Sequence, residues 1–164
     1  MVKKASNIKW EWCLNNVNED IVLEVKQLKD LDINDRFFDS LKNEYEDFII
    51  WFNNHLDRKA YITFRDKKIT SIFILKIEEK SEDYNDFNKE FKPSKRLKIC
   101  TLKVDDKFKN IGTKYLELAY NEALKNNVNE IYTTLYTNHK DLINLLEKII
   151  IFITVINLIM KRYI

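Results

Sequence analysis

The stretch Lys98–Asn127 reads KICTLKVDDKFKNIGTKYLELAYNEALKNN. It scans as a buried strand, a tight polar turn, and a helix that begins beside Gly112, the only glycine of the chain. The first backbone N–H groups of a helix have no internal partners, and the helix dipole adds partial positive charge there. A strand that feeds such a helix through a glycine-containing turn is a cradle for an anion, and a phosphate is its natural guest. Lys107, Lys109 and Lys114 crowd the turn. One glycine is a weak signal, and taken by itself the stretch reads better as an ordinary connection with solvated lysines.

Outward from this stretch, the chain alternates between strand and helix patterns. Arg96–Val104 is the strand, and Gly112–Asn127 the helix, with Tyr115, Leu118, Ala119, Glu122 and Ala123 on one stripe. Asn126-Asn127 is a stop signal. Glu130–Tyr136 (EIYTTLY) is a second strand, and Asn138 starts a helix that buries Leu142, Leu145, Leu146 and Ile149. The β-branched run Ile150–Ile164 reads as a last strand with no hairpin partner. Toward the N-terminus, Lys59–Arg65 and Lys68–Glu78 flank Asp66-Lys67 and make a hairpin. Glu79–Ser94 is a polar loop with the only proline, Pro93. Phe48–Leu56 is a short, apolar helix. Before it, Asn34 or Asp35 caps a helix carrying Phe37, Phe38, Leu41 and Tyr45. Asp20–Leu28 is the first strand. Residues 1–19 read as a leader or linker, and 20–164 as one domain. The strand–helix–strand unit after Arg96 places its two strands side by side and parallel.

Composition narrows the class. A chain of 164 residues with 45% apolar and 13% aromatic residues can bury a core. Lys+Arg number 28 against Asp+Glu 26, a net charge of +2, which argues against a dedicated nucleic-acid binder. A basic run from Lys92 to Lys103 is the one feature that favours such binding. The two cysteines, Cys13 and Cys100, have no metal-ligand spacing, and no metal site is expected. Nothing implies a disulfide framework, so a reducing, cytoplasmic setting fits. The longest apolar run, Ile149–Met160, is too short to span a bilayer, and no membrane association is expected.

In order and in residues, the chain resembles the GNAT superfamily of N-acetyltransferases. Three pieces carry the likeness. They are LKDLDINDRFFDSLKNEYEDFIIWF (Leu28–Phe52), KICTLKVDDKFKNIGTKYLELAYNEAL (Lys98–Leu124) and NEIYTTLYTNHKDLINLLEK (Asn129–Lys148). The resemblance implies an α+β, three-layer fold: a mixed, mainly antiparallel sheet flanked by helices, with a splayed parallel strand pair. It implies acetyl-coenzyme A as co-substrate and an amine as acceptor. The pantetheine arm would lie along Leu102, Lys103 and Val104, and the pyrophosphate would meet Lys109, Asn110, Ile111, Gly112, Thr113 and Lys114, with Asn138 also among the cofactor-binding residues. A backbone N–H near Val104 would polarise the thioester carbonyl.

Three departures bear on activity. Lys109 falls at the basic position of the pyrophosphate loop, Gly112 at its last small position, and Asn110 replaces the earlier glycine, so the loop is expected to be short. Leu146 stands where many relatives carry the tyrosine that protonates the leaving thiolate, and Tyr136 and His139 are the nearest substitutes. After Lys148 the composition changes abruptly, as in a truncated or frame-shifted end, and an apolar strand without a partner would invite a second copy to pair with it. Two readings follow: an acetyl-coenzyme A dependent N-acyltransferase, or a GNAT-fold module that binds acyl-coenzyme A or a protein partner without turnover. A cationic acceptor drawn to the acidic loop Glu78–Glu90 is a weaker corollary of the first.

Overall fold

The structure, a computed structural model, describes residues 22–82, 92–105, 110–150 and 157–163. Six strands form one sheet in sequence order: β1 (Val22–Gln27), β2 (Lys59–Arg65), β3 (Lys68–Glu78), β4 (Arg96–Val104), β5 (Glu130–Tyr136) and β6 (Asn157–Tyr163). Each of the first four is antiparallel to its neighbour, and β4, β5 and β6 run parallel. Two short helices, α1 (Asp39–Glu44) and α2 (Phe48–Asn53), follow β1, α3 (Asn110–Lys125) joins β4 to β5, and α4 (Lys140–Ile150) joins β5 to β6.

Local chemistry sets most boundaries. Asp35 Oδ1 accepts from Phe37 N at 2.8 Å and caps the 3-10 turn Arg36–Phe38 that leads into α1. Asp66 and Lys67 both take positive φ (50° and 63°), the conformation that two-residue hairpins need to match strand twist. α3 is closed off by Asn127, φ 53°, with Val128 N bonded to Ala123 O and Asn127 N to Leu124 O, a left-handed cap of the Schellman type.

Two cores sandwich the sheet. Phe73, Leu97, Ile99, Ile131 and Leu135 pack against Ile111, Tyr115, Leu118 and Ala119 of α3 and Leu146 of α4. Phe38, Leu41, Phe48 and Phe52 cover Ala60, Ile62, Ile72 and Ile74 on the opposite face. The α+β, three-layer expectation therefore holds.

Two expectations are corrected. α3 begins at Asn110, two residues before Gly112, and no positive φ is needed at either residue. Gly112 serves close packing instead: a Cβ there would stand 2.9 Å from Leu145 Cδ2 of α4. The C-terminal run is not one unpaired strand from Ile150. α4 continues through Ile150, and β6 is fully paired with β5 in parallel, from Glu130↔Asn157 to Tyr136↔Tyr163. As the last strand in the order, β6 leaves only its outer side for a second copy. Residues 1–19, most of the acidic loop, and Lys107 and Lys109 lie outside the described residues.

Candidate functional site: the fork between β4 and β5

β4 and β5 are joined over three pairs only, Leu97↔Ile131, Lys98↔Tyr132 and Ile99↔Thr133. Beyond Ile99 the two strands run on to Val104 and Tyr136 without pairing each other. Two devices sit at the point of divergence. Cys100 is an extra residue on β4, since Ile74 opposes Thr101 and Leu75 opposes Ile99, and a bulge of this kind bends its strand. Thr133 Oγ1 donates to Ile99 O at 3.2 Å and closes the last rung. Below the fork, Arg96 of β4, buried, forms an ion pair with Glu130 of β5 at 2.8 Å.

The gap exposes backbone. Asp105 N donates to Thr70 O of β3 at 2.9 Å. Alternate residues of a strand turn their polar groups to opposite sides. The N–H and C=O groups of Leu102 and Val104 therefore face β5 across the opening, while those of Lys103 face β3. Gly112, in the first turn of α3, lines the same cleft, whose volume is about 1940 Å³. Asn138, Leu142 and Leu145 form the wall opposite. Asn110, Ile111 and Thr113 lie in the first turn of α3. Ile111 is buried in the core, Thr113 is exposed, and Lys114 is partly exposed. The structure thus brings Leu102, Val104, Gly112 and Asn138 to one opening.

Lys103 lines the same cleft, with its side chain turned to the segment before α1. Its ammonium donates to Phe37 O and stands 4.5 Å from the centre of the Phe37 ring, fastening β4 to the turn before α1. Burial pulls its pKa down, against the opposing pull of Glu44 and Asp39.

Tyr136 and His139 do meet. Their rings are 6.3 Å apart, and His139 N donates to Tyr136 O at 3.2 Å. His139 Nε2 lies 3.4 Å from Glu44 Oε2, and Tyr136 packs on Tyr45 at 5.3 Å. Burial raises the pKa of Tyr45, and the Glu44 carboxylate adds to the rise. Glu44 and Tyr45 come from the end of α1, some ninety residues away in sequence, so no local pattern could have named them. Leu146, at the position of the missing tyrosine, is fully buried beneath α3.

Deeper along the opposite face of β4, the cleft is lined by Trp51, His55, Arg58, Lys76, Glu78, Lys98 and Cys100. Glu78 is 3% exposed, accepts from Tyr132 Oη at 2.5 Å and pairs with Lys76 at 3.3 Å. Burial raises the pKa of the Cys100 thiol, only partly offset by Arg58 and Lys98. Among the described residues no cluster of His, Cys, Asp or Glu can hold a metal ion, and no helix is long and apolar enough to cross a membrane.

No family model and no curated protein matches the chain by sequence. Solved structures do match. The chain is similar to a ribosomal-protein-alanine N-acetyltransferase from Brucella melitensis biovar Abortus 2308, with 13% identity and TM-score 0.55, over 79% of this chain and 90% of that one. It is similar to an aminoglycoside acetyltransferase from an uncultured soil metagenomic sample, with 13% identity and TM-score 0.54, over 80% and 88%. It is also similar to Arabidopsis thaliana Naa50 in complex with a bisubstrate analogue, with 18% identity and TM-score 0.52, over 79% and 82%.

Proposed function

With the GNAT acetyltransferase fold as premise, we propose that the protein transfers an acetyl group from acetyl-coenzyme A to a primary amine. The observation that supports this reading is the fork: β4 offers the free backbone groups of Leu102 and Val104 where β5 has left it. A pantetheine arm carries amide groups that pair with such an edge, as an added strand does. Its diphosphate then reaches the N-terminal turn of α3, where Asn110 to Lys114 supply N–H groups and the positive end of a 16-residue helix. Leu102, nearer the fork than Val104, is the proposed N–H donor to the thioester carbonyl.

The reaction forms a C–N bond as the amine lone pair attacks the thioester carbon, and the C–S bond breaks with its electrons on sulfur. One proton leaves the amine and one reaches the thiolate. His139, with the Glu44 carboxylate 3.4 Å from its Nε2, is the proposed base. Tyr136, beside it, is the proposed donor to sulfur. His139→Gln is expected to lower kcat by roughly 10²-fold, within the usual range for general acid–base catalysis, with coenzyme A binding retained. Thiol release measured across an amine panel checks this.

A second reading, binding without turnover, draws support from Leu146, which fills the tyrosine position with a buried hydrocarbon. Calorimetric titration with acetyl-coenzyme A followed by the thiol-release assay separates the two. Binding with no release on any amine supports the second, and no binding defeats both.

A further inference from the structure

The acceptor side of the cleft has an unusual charge. At its root, on the α2 face of the sheet, stand three cations: Arg58, Lys76 and Lys98. Lys76 is satisfied by Glu82 at 2.6 Å and Glu78 at 3.3 Å. Arg58 and Lys98 have no carboxylate partner among the described residues. Arg58 lies over the Trp51 ring at 5.7 Å and points Nη1 at Cys100 Sγ, 3.6 Å away. Lys98 Nζ lies over the Tyr132 ring at 5.6 Å. Both residues are partly buried. Because burial raises the Cys100 pKa, the thiol is neutral and gives them no counter-charge. Aromatic faces hold a cation in position but leave its hydrogen-bond donors open.

We infer that Arg58 and Lys98 bind an anionic group, carboxylate or phosphate, carried by the amine acceptor itself. This rests on the acetyltransfer reading, which puts the thioester at Leu102. Cys100, with Arg58 against it, is two residues from Leu102, and Lys98 four. At about 3.3 Å of rise per residue, these lie roughly 7 and 13 Å along the strand. The span suits an amino group and an anion separated by a chain of a few carbons, with Trp51 against its apolar part. The guanidinium can take the anion in a bidentate grip, and Lys98 adds a second charge. The preference is opposite to the cationic acceptor that the acidic loop invites.

The test compares kcat/KM of the full chain for γ-aminobutyrate, phosphoethanolamine, n-butylamine and putrescine. At least one of the two anionic amines is expected to exceed n-butylamine roughly tenfold or more, the worth of a charge-assisted bond. The carboxylate and phosphate arms identify which anion is meant. In Arg58→Gln and in Lys98→Gln the ratio of anionic to neutral amine should fall toward one, while Lys98→Arg retains it. A preference for putrescine or n-butylamine, or a ratio unmoved in both Gln variants, overturns the inference. If no amine is acetylated, the transferase reading alone has failed. Calorimetric titration of γ-aminobutyrate and phosphoethanolamine into the protein, with and without coenzyme A, then decides. Binding that Arg58→Gln abolishes sustains the anion site, and no binding of either overturns it.

Discussion

Single residues carry two consequences that can be measured apart from activity. Lys67 holds φ 63° in the β2–β3 turn, a conformation that costs a side-chain-bearing residue about 1 kcal/mol and glycine nothing. Lys67→Gly is therefore expected to stabilise the protein by several tenths of a kcal/mol up to about 1, read as a higher urea midpoint with unchanged slope. Tyr115 is buried, stacks on Phe73 at 4.8 Å and shares a 2.6 Å hydrogen bond with Ser71 Oγ. Burial pushes its phenol up to about 12 from an ordinary 10, although the Ser71 bond works the other way. The folded state thus keeps a proton that the unfolded chain releases above pH 10. Stability is fully present below pH 10 and is lost as pH rises from 10 to 12, by roughly 2–3 kcal/mol. Denaturant melts at pH 9 and 12 should show the loss, and Tyr115→Phe should reduce it. At this scale the sequence was legible where chemistry is local. Asp35 as a cap and Asp66-Lys67 as a turn are written in residue type. Lys103 on the Phe37 carbonyl, Glu44 beside His139 and Arg58 beside Cys100 join residues 42 to 95 apart, and no spacing rule reaches that far.

Among the elements, β2, β3, β4 and β5 have the boundaries that alternation and β-branching mark in the sequence, because each is flanked by turn or loop residues that stop it. β6 was misread for a reason of the same kind. Its composition fits a strand from Ile150 onward, but α4 continues through Ile150 and the described strand is Asn157–Tyr163. Its parallel place beside β5 depends on the whole α4 crossover, which a run of isoleucines cannot announce. The start of α3 shifted likewise, since Asn110 and Ile111 extend the helix and Ile111 enters the core. An ion pair between elements, Arg96 on β4 with Glu130 on β5, ties the closed root of the fork. Arg96 is 2% exposed, and its Nη2 also donates to Lys92 O at 2.8 Å. Glu130→Gln removes a carboxylate from beside that buried guanidinium and should cost roughly 1–3 kcal/mol. The Thr133–Ile99 rung should show it first, as faster amide exchange at Leu97 to Ile99.

The whole molecule is a sheet held shut at one end and opened at the other, with a helix tip at the mouth and two different linings on its two sides. The helix face is apolar and closes on Leu146. The opposite face carries His139 and Glu44 at the mouth and, at the root, Arg58 and Lys98, which have no carboxylate partner among the described residues. Acetyl transfer, the anionic acceptor and the role of His139 all presuppose that the outer half of β4 is free to receive a ligand backbone. Hydrogen–deuterium exchange resolved to single amides, with and without coenzyme A, tests this most directly. Without ligand, the Leu102 and Val104 amides should exchange far faster than those of Lys103 and Ile99. Saturating coenzyme A should slow Leu102, Val104 and the first turn of α3, and leave β1 and β2 unchanged. Leu102 and Val104 already as protected as Ile99 in the free protein, or unmoved by coenzyme A, would contradict the open fork.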